Sequence, residues 1–430
     1  MSAIIPPVLK CPSCQQSHSV FDAEKTAMYV CGNCYAVIEA GSKAIHSPYS
    51  LNKPKGKPLL PLGAKGVLKD KHYTVIAVAE RYELNTAYYW FEYTLMREGD
   101  HEVAFLSTYD GHWLLLEPVS GSALPKATFT PTQEGMTWDS VFFERFSRYK
   151  AKYNYASGEF HWHANLRKGV ECVEYICPPR LLAVEVDPSD PAGKDVFGGE
   201  YILPSAVSKA FLNGKAMPPR EGVAPAQPSW ITINPRRFLI GTLVFCILAL
   251  IIQTVYSFSR KQLPVFNERM FMDTTNINKP IVSPSFKLEG GTSNMEVQLE
   301  TDVDNSWCEV EVNLVNEQTG KETAFVVGAE YYSGVSEGER WSEGSHTQKE
   351  FVCSVPSGSY HFVTTFSKDT NGPPVSLGLT VWWDVPSWWN AVVVSMTMAL
   401  VAIGIWLLHR SFEAKRWAGS NVTNYRNRWN

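Results

Sequence analysis

The 430-residue sequence lacks several signatures of catalytic folds. It contains no phosphate-cradling Gly-rich loop ending in Lys-Ser/Thr, no dinucleotide fingerprint and no His-Glu-x-x-His motif. Its net charge is also small, at −4, with 39 Lys and Arg against 43 Asp and Glu. A protein held on nucleic acid mainly by charge needs a basic surplus, because phosphate contacts supply most of that affinity. The composition argues against nucleic acid as the main partner, and no catalytic residue is indicated.

Two long stretches lack Asp, Glu, Lys and Arg altogether. The first is residues 238–258, and the second is residues 391–408 near the end of the chain. A bilayer core of about 30 Å needs roughly 20 apolar residues in a helix. The first stretch lies too deep in the chain for a signal peptide. The runs predict transmembrane helices at 236–258 and 388–408, with a buried helix of a soluble core as the alternative.

Charge is distributed unevenly around these two runs. The segment between them, 259–387, carries 9 Lys and Arg against 18 Asp and Glu, whereas residues 409–430 carry 5 against 1. Basic residues concentrate on the cytoplasmic side of membrane proteins. The pattern predicts a two-pass protein of the cell (inner) membrane, with both termini in the cytoplasm and the middle segment outside.

The sequence has nine cysteines, and four of them form two Cys-x-x-Cys pairs: Cys11, Cys14, Cys31 and Cys34. Two such pairs supply four thiolates that can close a tetrahedron around Zn²⁺ without leaving a position for substrate. The short apolar runs between them are too few to fold without a metal. The spacing predicts a zinc ribbon holding structural Zn²⁺, with an iron site or redox cysteines as alternatives.

The sequence predicts a mainly β multidomain membrane protein. Composition shifts and strand patterns divide it into segments. The predicted segments are a zinc ribbon at 1–46, a linker at 47–58, a small β-barrel-like domain at 59–119, a second β-rich unit at 120–212, a Pro-rich linker at 213–235, transmembrane helices at 236–258 and 388–408, an exoplasmic β-sandwich at 259–387 and a basic cytoplasmic tail at 409–430.

Short strands about ten residues apart characterise the region 59–119 and favour a small barrel or an SH3-like sheet. An aromatic hairpin recurs in this domain and in the second β-rich unit, which suggests an imperfect repeat. The aromatic and apolar residues of the first unit fit a core better than an exposed binding platform. These candidate core residues are Trp90, Phe91, Tyr93, Trp113 and Leu115.

The second unit offers one further metal site. His161 and His163 alternate onto one face of a strand and could bind a metal with Cys172 or Cys177. An exposed or hydrogen-bonded His pair is the favoured interpretation, because such pairs are more common than metal sites.

Period-two alternation in the middle segment predicts seven or so strands in a β-sandwich. Three acidic residues, Glu337, Glu339 and Glu343, lie in a Gly-rich stretch that lacks calcium-loop spacing and fits a solvated acidic loop. Cys308 and Cys353 are the cysteines of this exoplasmic segment, where thiols can be oxidised, so a disulfide between them is expected, with free cysteines in the core as the alternative.

Several segments behind the cysteine pairs occur in an order that is similar to one known family. They are Gly111-His112-Trp113, Gly158-Glu159-Phe160-His161-Trp162, Pro178-Pro179-Arg180-Leu181-Leu182 and Gly199-Glu200-Tyr201-Ile202. The chain resembles a bacterial family of membrane-anchored proteins built on a domain of unknown function. The resemblance covers most of the chain, implies a membrane anchor and transfers no catalytic residue. Genes of that family often neighbour small membrane proteins and enzymes resembling aminopropyltransferases, which hints at partners.

These patterns favour an interaction or scaffold protein that couples a cytoplasmic zinc-ribbon and β-domain module to an exoplasmic β-sandwich. Its expected partners are the lipid bilayer and other proteins, in envelope stress or in membrane-associated complexes. Two alternatives remain at this point. One is a membrane-bound enzyme or enzyme subunit with its site in the front β domain, and the other is nucleic-acid binding by the zinc ribbon.

Overall fold

The protein folds into two compact units, Met1–Asn234 with Ile405–Asn430, and Pro235–Gly404. The structure, a computed structural model, describes residues 7–40, 45–119, 134–163, 166–187, 190–273, 275–370 and 372–422. Both units are mainly β, as the strand patterns predict.

Five short strands open the first unit and hold the N-terminal cysteines in their turns. They are β1 (Val8–Lys10), β2 (Ser17–Ser19), β3 (Met28–Val30), β4 (Ala36–Ala40) and β5 (Ile45–Ser50). Strands β1 and β2 form a separate hairpin, whereas β3, β4 and β5 form one antiparallel ladder.

Ten strands follow, and eight of them close a barrel. The ten are β6 (Lys65–Leu68), β7 (Lys71–Glu83), β8 (Tyr89–Arg97), β9 (Val103–Tyr109), β10 (His112–Pro118), β11 (Gly135–Trp138), β12 (Val141–Phe160), β13 (Val170–Cys177), β14 (Arg180–Asp187) and β15 (Asp190–Ile202). The ring runs β7-β8-β9-β10-β15-β14-β13-β12 and closes because β12 also pairs with β7. The segments 59–119 and 120–212 therefore share one barrel, which corrects the expectation of two separate units.

The barrel consists of two matching halves, β6 to β10 and β11 to β15. Each half starts with a hairpin whose two turn residues have positive φ, Lys69-Asp70 in the first and Asp139-Ser140, 70 positions later, in the second. A β-bulge follows Val75 in the first half and Arg145, again 70 positions later, in the second. The pairing of Tyr82 with Lys152 joins positions with the same offset. An approximate two-fold axis thus passes between β7 and β12, and the expected imperfect repeat is present.

The outer face of the first half packs against helix α1 (Pro204–Phe211). Tyr93, Trp113 and Leu115 are buried there with Val207 and Phe211 of the helix. Trp90 is buried on the opposite face of β8, and Phe91 is half-buried. The aromatic residues are therefore core residues, as the sequence indicated.

The two expected linkers of the front half are packed against the barrel. In the first, the N–H groups of Lys55 and Gly56 donate to the buried carboxylate of Glu80 at 2.9 and 2.8 Å. In the second, Ala224 and Ala226 are buried in the barrel's apolar cluster. Neither segment is an extended tether, because each supplies hydrogen bonds or apolar surface to the barrel.

Two long helices, α2 (Pro235–Ser259) and α3 (Trp389–Trp417), are long and apolar enough to cross a membrane. They agree with the predicted positions except that α3 continues beyond residue 408, so the start of the basic tail is helical. Within the second unit, the Gln253 side chain of α2 donates to the Ser387 carbonyl at 2.9 Å.

The second unit holds two antiparallel sheets. Its strands are β16 (Leu263–Met272), β17 (Pro280–Val282), β18 (Phe286–Leu288), β19 (Ser293–Thr301), β20 (Ser306–Asn316), β21 (Glu322–Ser336), β22 (Glu339–Ser345), β23 (Thr347–Val355), β24 (Gly358–Lys368) and β25 (Val375–Trp383). One sheet has the order β16-β25-β19-β23, and the other has β17-β24-β20-β21-β22 with β18 also on β24. Alternate residues of both sheets, such as Val310, Val312 and Leu379, are fully buried in a shared core. The unit is a β-sandwich.

The prediction of a disulfide in the sandwich is wrong. Cys308 is buried on β20, where its thiol donates to the Thr301 hydroxyl, whereas Cys353 is exposed on β23. Both thiols are free. The two cysteines belong to different sheets, and the Cys353 side chain does not point into the core between them.

Candidate metal centre

Two equivalent turns, β1 to β2 and β3 to β4, hold the four predicted metal ligands Cys11, Cys14, Cys31 and Cys34. In each turn, the N–H of the residue after the second cysteine donates to the carbonyl of the first cysteine at 2.9 Å. Those donors, Gln15 and Tyr35, have positive φ values of 62° and 59°. The repeated backbone bond folds each Cys-x-x-Cys into a tight knuckle with both sulfurs on one side.

The four sulfurs form a compact group. All four Sγ atoms lie within 4.8 Å of one another. The separations between Cys11 and Cys34 and between Cys14 and Cys31 are both 3.6 Å. Four thiolates bound at ~2.3 Å to a tetrahedral Zn²⁺ lie about 3.8 Å apart. The residues therefore fit a metal ion with four thiolate ligands, and zinc is consistent with this donor set.

The environments of the sulfurs differ. Cys11 and Cys31 are buried, whereas Cys14 and Cys34 are half-buried. A hydrogen bond from the Asn33 side chain lowers the pKa of Cys14 to about 6. Burial raises the pKa of Cys31. Grouping four such sulfurs requires either retained protons or a cation, since several thiolates packed together repel one another.

The ribbon is joined to the barrel by a shared strand pair and a buried carboxylate. Strand β3 pairs with the end of β12, with Val30 opposite Gly158. At Gly158, with φ of 104°, an added Cβ would lie 2.2 Å from the carbonyl oxygen of Ile76, so only glycine fits. The fully buried Glu159 accepts hydrogen bonds from the N–H groups of Phe21 and Asp22 at 2.6 and 3.1 Å. The metal centre is thereby tied to the barrel.

The second metal site considered from the sequence does not assemble. Nε2 of His161 lies 3.5 Å from the Glu159 carboxylate, and His163 is exposed. Cys172 points instead into the barrel beside Arg81. Among the described residues, the four ribbon cysteines alone form a group of three or more ligands at metal-binding distances.

A buried charged cluster inside the barrel was not predicted from the sequence. Arg81 on β7 is 3% exposed, and its Nη1 lies 2.6 Å from Glu185 Oε1 and 3.2 Å from Glu92 Oε2. Because Glu185 lies on β14, which is not a neighbour of β7, this contact crosses the barrel interior. Burial opposes the charged form, but the Glu185 carboxylate holds the pKa of Arg81 above its usual value.

A third carboxylate lies in the same interior. Glu174 accepts hydrogen bonds from the Tyr149 hydroxyl at 2.8 Å and from the Ser147 hydroxyl at 2.9 Å. Burial raises the pKa of Glu174 and of Glu92. The carboxylates of this cluster are thus engaged by a guanidinium or by hydroxyl groups. The arrangement is suited to holding the two halves of the barrel together rather than to transferring protons.

One short motif resembling a nucleophile elbow has a structural explanation. Residues 334–338 read Gly-Val-Ser-Glu-Gly, which fits Gly-x-Ser-x-Gly. An elbow needs a turn from a strand into a helix, but these residues end β21 and form the turn to β22. The turn residues Glu337 and Gly338 have φ values of 54° and 88°. The acidic stretch around them is the exposed end of a hairpin, not a loop.

Comparison with known sequences identifies one domain. A DUF4178 domain spans residues 61–204. This is a domain of unknown function, and its limits include both halves of the barrel and reach the first residue of α1. No curated protein sequence matches the chain.

Solved structures resemble the chain only distantly. PNGF-II matches at 9% identity over 75% of this chain and 66% of its own, with a TM-score of 0.20. A glycoside hydrolase family 43 arabinoxylan arabinofuranohydrolase from Bacillus subtilis matches at 11% identity over 81% and 74%, with a TM-score of 0.16. The infectious bursal disease virus Gt strain structure matches at 9% over 85% and 67%, with a TM-score of 0.18. At these scores the likeness supports no argument about fold or function.

The end of α3 packs onto the DUF4178 domain. Arg416 is 2% exposed, forms an ion pair with Glu413 at 3.0 Å and donates to the carbonyls of Pro225 and Gln227 at 2.6 and 2.7 Å. The Trp417 ring lies 5.4 Å from the ring of Phe146 on β12. This segment lies in the expected basic cytoplasmic tail, of which residues 423–430 lie outside the described part of the chain.

An asparagine side chain completes this attachment. The Asn421 side chain accepts a hydrogen bond from the N–H of Arg148 at 3.0 Å and donates to the Arg148 carbonyl at 2.8 Å. The amide thus satisfies both backbone groups of one residue on β12, as a neighbouring strand would. Residues 413–422, called the C-terminal anchor below, therefore belong structurally to the domain at the front of the chain.

Proposed function

We propose that the protein is a two-pass membrane protein that assembles protein partners on both sides of the bilayer. In this proposal the ribbon and the DUF4178 domain bind partners in the cytoplasm, and the β-sandwich binds partners on the outer side. The ribbon holds one structural Zn²⁺ through its four cysteines. The lipid bilayer surrounds α2 and α3, whose large apolar side chains are mostly exposed in the structure.

The C-terminal anchor carries this proposal. A chain that crosses the bilayer twice has both ends on the same side, so its last residues can reach its first domain only with that topology. The Trp417 ring beside Phe146 and the Asn421 bonds to Arg148 provide that contact. The buried Arg416 adds bonds to carbonyls of the segment that follows the domain. Cytoplasmic placement of both ends is supported by the basic residues that follow the second apolar run and by the acidic balance of the segment between the two runs.

A coupling role follows from the same contacts. Helix α3 is one continuous element from Trp389 to Trp417, so the helix that leaves the sandwich ends on the DUF4178 domain. Rigid secondary elements can carry energetic coupling between distant sites when they have two arrangements. A scaffold with binding surfaces on both sides needs such a connection, which a loose tether would not provide.

The test is partner capture from native membranes with matched variants of the full-length protein. Changing Cys31 to Ser should remove proteins bound by the cytoplasmic module while proteins bound to the sandwich remain. A second variant, Trp341→Ala, changes an exposed residue of the β21–β22 hairpin and serves as a sandwich-side control that keeps the cytoplasmic set. Recovery of no reproducible protein with the unmodified chain, in several mild detergents and after cross-linking, would contradict the scaffold function.

A further inference from the structure

A histidine side chain from outside both Cys-x-x-Cys turns touches a sulfur of the metal centre. Nε2 of His18, on β2, lies 3.1 Å from Sγ of Cys31. His18 comes from the hairpin of the first knuckle, whereas Cys31 belongs to the second knuckle. The contact therefore links the two halves of the ribbon directly at the metal site.

The position of His18 is fixed by its neighbours. Strand pairing places it opposite Leu9, which is fully buried. Its ring lies 5.4 Å from the ring of Tyr29, which is buried on β3 two residues before Cys31. The His18 imidazole thus lies between its own strand β2 and the Tyr29 ring, close to the Cys31 sulfur that it contacts.

A neutral imidazole can give the sulfur one N–H donor. Hydrogen bonds to a bound thiolate remove charge from the sulfur and orient the ligand, and such outer partners tune metal affinity. The backbone N–H groups of Asn33 and Cys34 also reach the Cys31 sulfur, as expected inside a Cys-x-x-Cys turn. His18 is different, because its donor comes from the opposite hairpin.

We propose that His18 is a positioning residue of the metal centre: its Nε2–H donates to the Cys31 thiolate and so strengthens metal retention. This proposal rests on the proposed zinc ribbon. The donor neutralises part of the charge on the buried sulfur, which makes that sulfur a poorer nucleophile and a less reactive target for alkylation. It also closes the first hairpin onto the second once the metal is bound.

Full-length protein in detergent, with His18→Phe and His18→Gln variants, tests the proposal. Phenylalanine keeps a ring against Tyr29 but has no donor, whereas glutamine restores an N–H without the ring. We expect His18→Phe to bind Zn²⁺ about 10- to 100-fold more weakly in chelator competition. Glutamine should recover part of that loss. A Ser19→Ala variant, at an exposed position of the same strand, should match the unmodified protein.

Two readouts separate a donor role from a packing role. With Co²⁺ in place of Zn²⁺, loss of the donor should shift the sulfur-to-metal charge-transfer band to longer wavelength, and iodoacetamide should modify Cys31 faster in the metal-loaded variant. Equal affinity, spectrum and alkylation rate for His18→Phe and the unmodified chain would overturn the role of His18. Absence of any thiolate–cobalt band in the unmodified chain would instead contradict the zinc ribbon itself.

Discussion

Arg81 Nη1 lies 2.6 Å from Glu185 Oε1, although the two residues are 104 positions apart and belong to different halves of the barrel. Each half has its own apolar core on its outer face. The interior between them also contains buried charge, with Arg81 shared between Glu185 and Glu92. We expect this ion pair to help specify how the two halves meet, because separating its partners would leave buried charges uncompensated.

Arg81→Met should destabilise the protein by about 3–5 kcal/mol, because it leaves two carboxylates in the barrel interior without their cation. Thermal unfolding of the full-length protein in detergent measures the effect. Arg97→Met is the matched control on the next strand. Its partner Asp100 is exposed, so the loss there should stay below about 1 kcal/mol. Equal effects of the two substitutions would show that Arg81 is not buried in the folded protein.

The sequence predicts this cluster poorly, and the reason is topological. Arg81 follows the apolar run of β7, where a single charge looks like the solvated end of a strand. Its burial depends on β12 pairing with β7 and on β15 pairing with β10, which are contacts between residues far apart in the chain. Local periodicity indicates that strands exist but not which strands become neighbours. The sequence therefore predicts two separate β domains at 59–119 and 120–212, although their strands form one barrel.

Sequence patterns predict the metal centre and the long helices better, because these depend on residues close together in the chain. The Cys-x-x-Cys spacings bring Cys11, Cys14, Cys31 and Cys34 together because each pair needs only its own tight turn. The helices follow from length and composition. His18 gave no signal, since a lone histidine in a short polar strand has nothing to mark it. Its proximity to Cys31 arises only when the two hairpins pack.

Cys31→Ser should abolish binding of one equivalent of Zn²⁺ under reducing conditions, because three thiolates remain in a site closed by four. Metal analysis of the purified full-length chain checks this. Cys353→Ser, at an exposed cysteine of the sandwich, should leave the zinc content unchanged. The first variant should also expose the ribbon to limited proteolysis, because its short strands depend on the bound metal to stay folded. Full zinc occupancy in Cys31→Ser would assign the metal to other ligands.

Membrane-impermeant thiol labelling tests the proposed orientation with a native reporter. Cys353 is exposed on the sandwich and should react from outside intact cells. A Lys415→Cys probe at an exposed position of α3, placed in a Cys353→Ser background, should react only after the membrane is permeabilised. The basic residues that follow the second apolar run are the physical reason for this expectation. The opposite labelling pattern would reverse the orientation.

Reduction should leave the sandwich unchanged. Cys308 is buried and bonded to Thr301, while Cys353 is exposed, and bridging needs Cα atoms within about 7 Å and side chains that face each other. We expect two alkylatable thiols in the sandwich by non-reducing mass spectrometry and the same melting temperature with and without dithiothreitol. A single cross-linked peptide containing both cysteines would restore the disulfide that the sequence suggested.

Arg416→Ala should release the C-terminal anchor from the DUF4178 domain. The substitution removes the hydrogen bonds to the half-buried Pro225 and Gln227 carbonyls, at a cost of roughly 1–3 kcal/mol. Arg410→Ala is the control, since Arg410 is an exposed cation on the same helix and should have little effect.

Amide hydrogen exchange at Arg148 reports the release directly. Its N–H donates to the Asn421 side chain, five residues beyond the substitution, so exchange there should accelerate in Arg416→Ala and remain slow in Arg410→Ala. Faster exchange throughout the barrel would mean that the variant unfolds rather than detaches. Unchanged exchange at Arg148 would show that Asn421 is held independently of Arg416, and α3 would then lack the fixed end that coupling between the two sides requires.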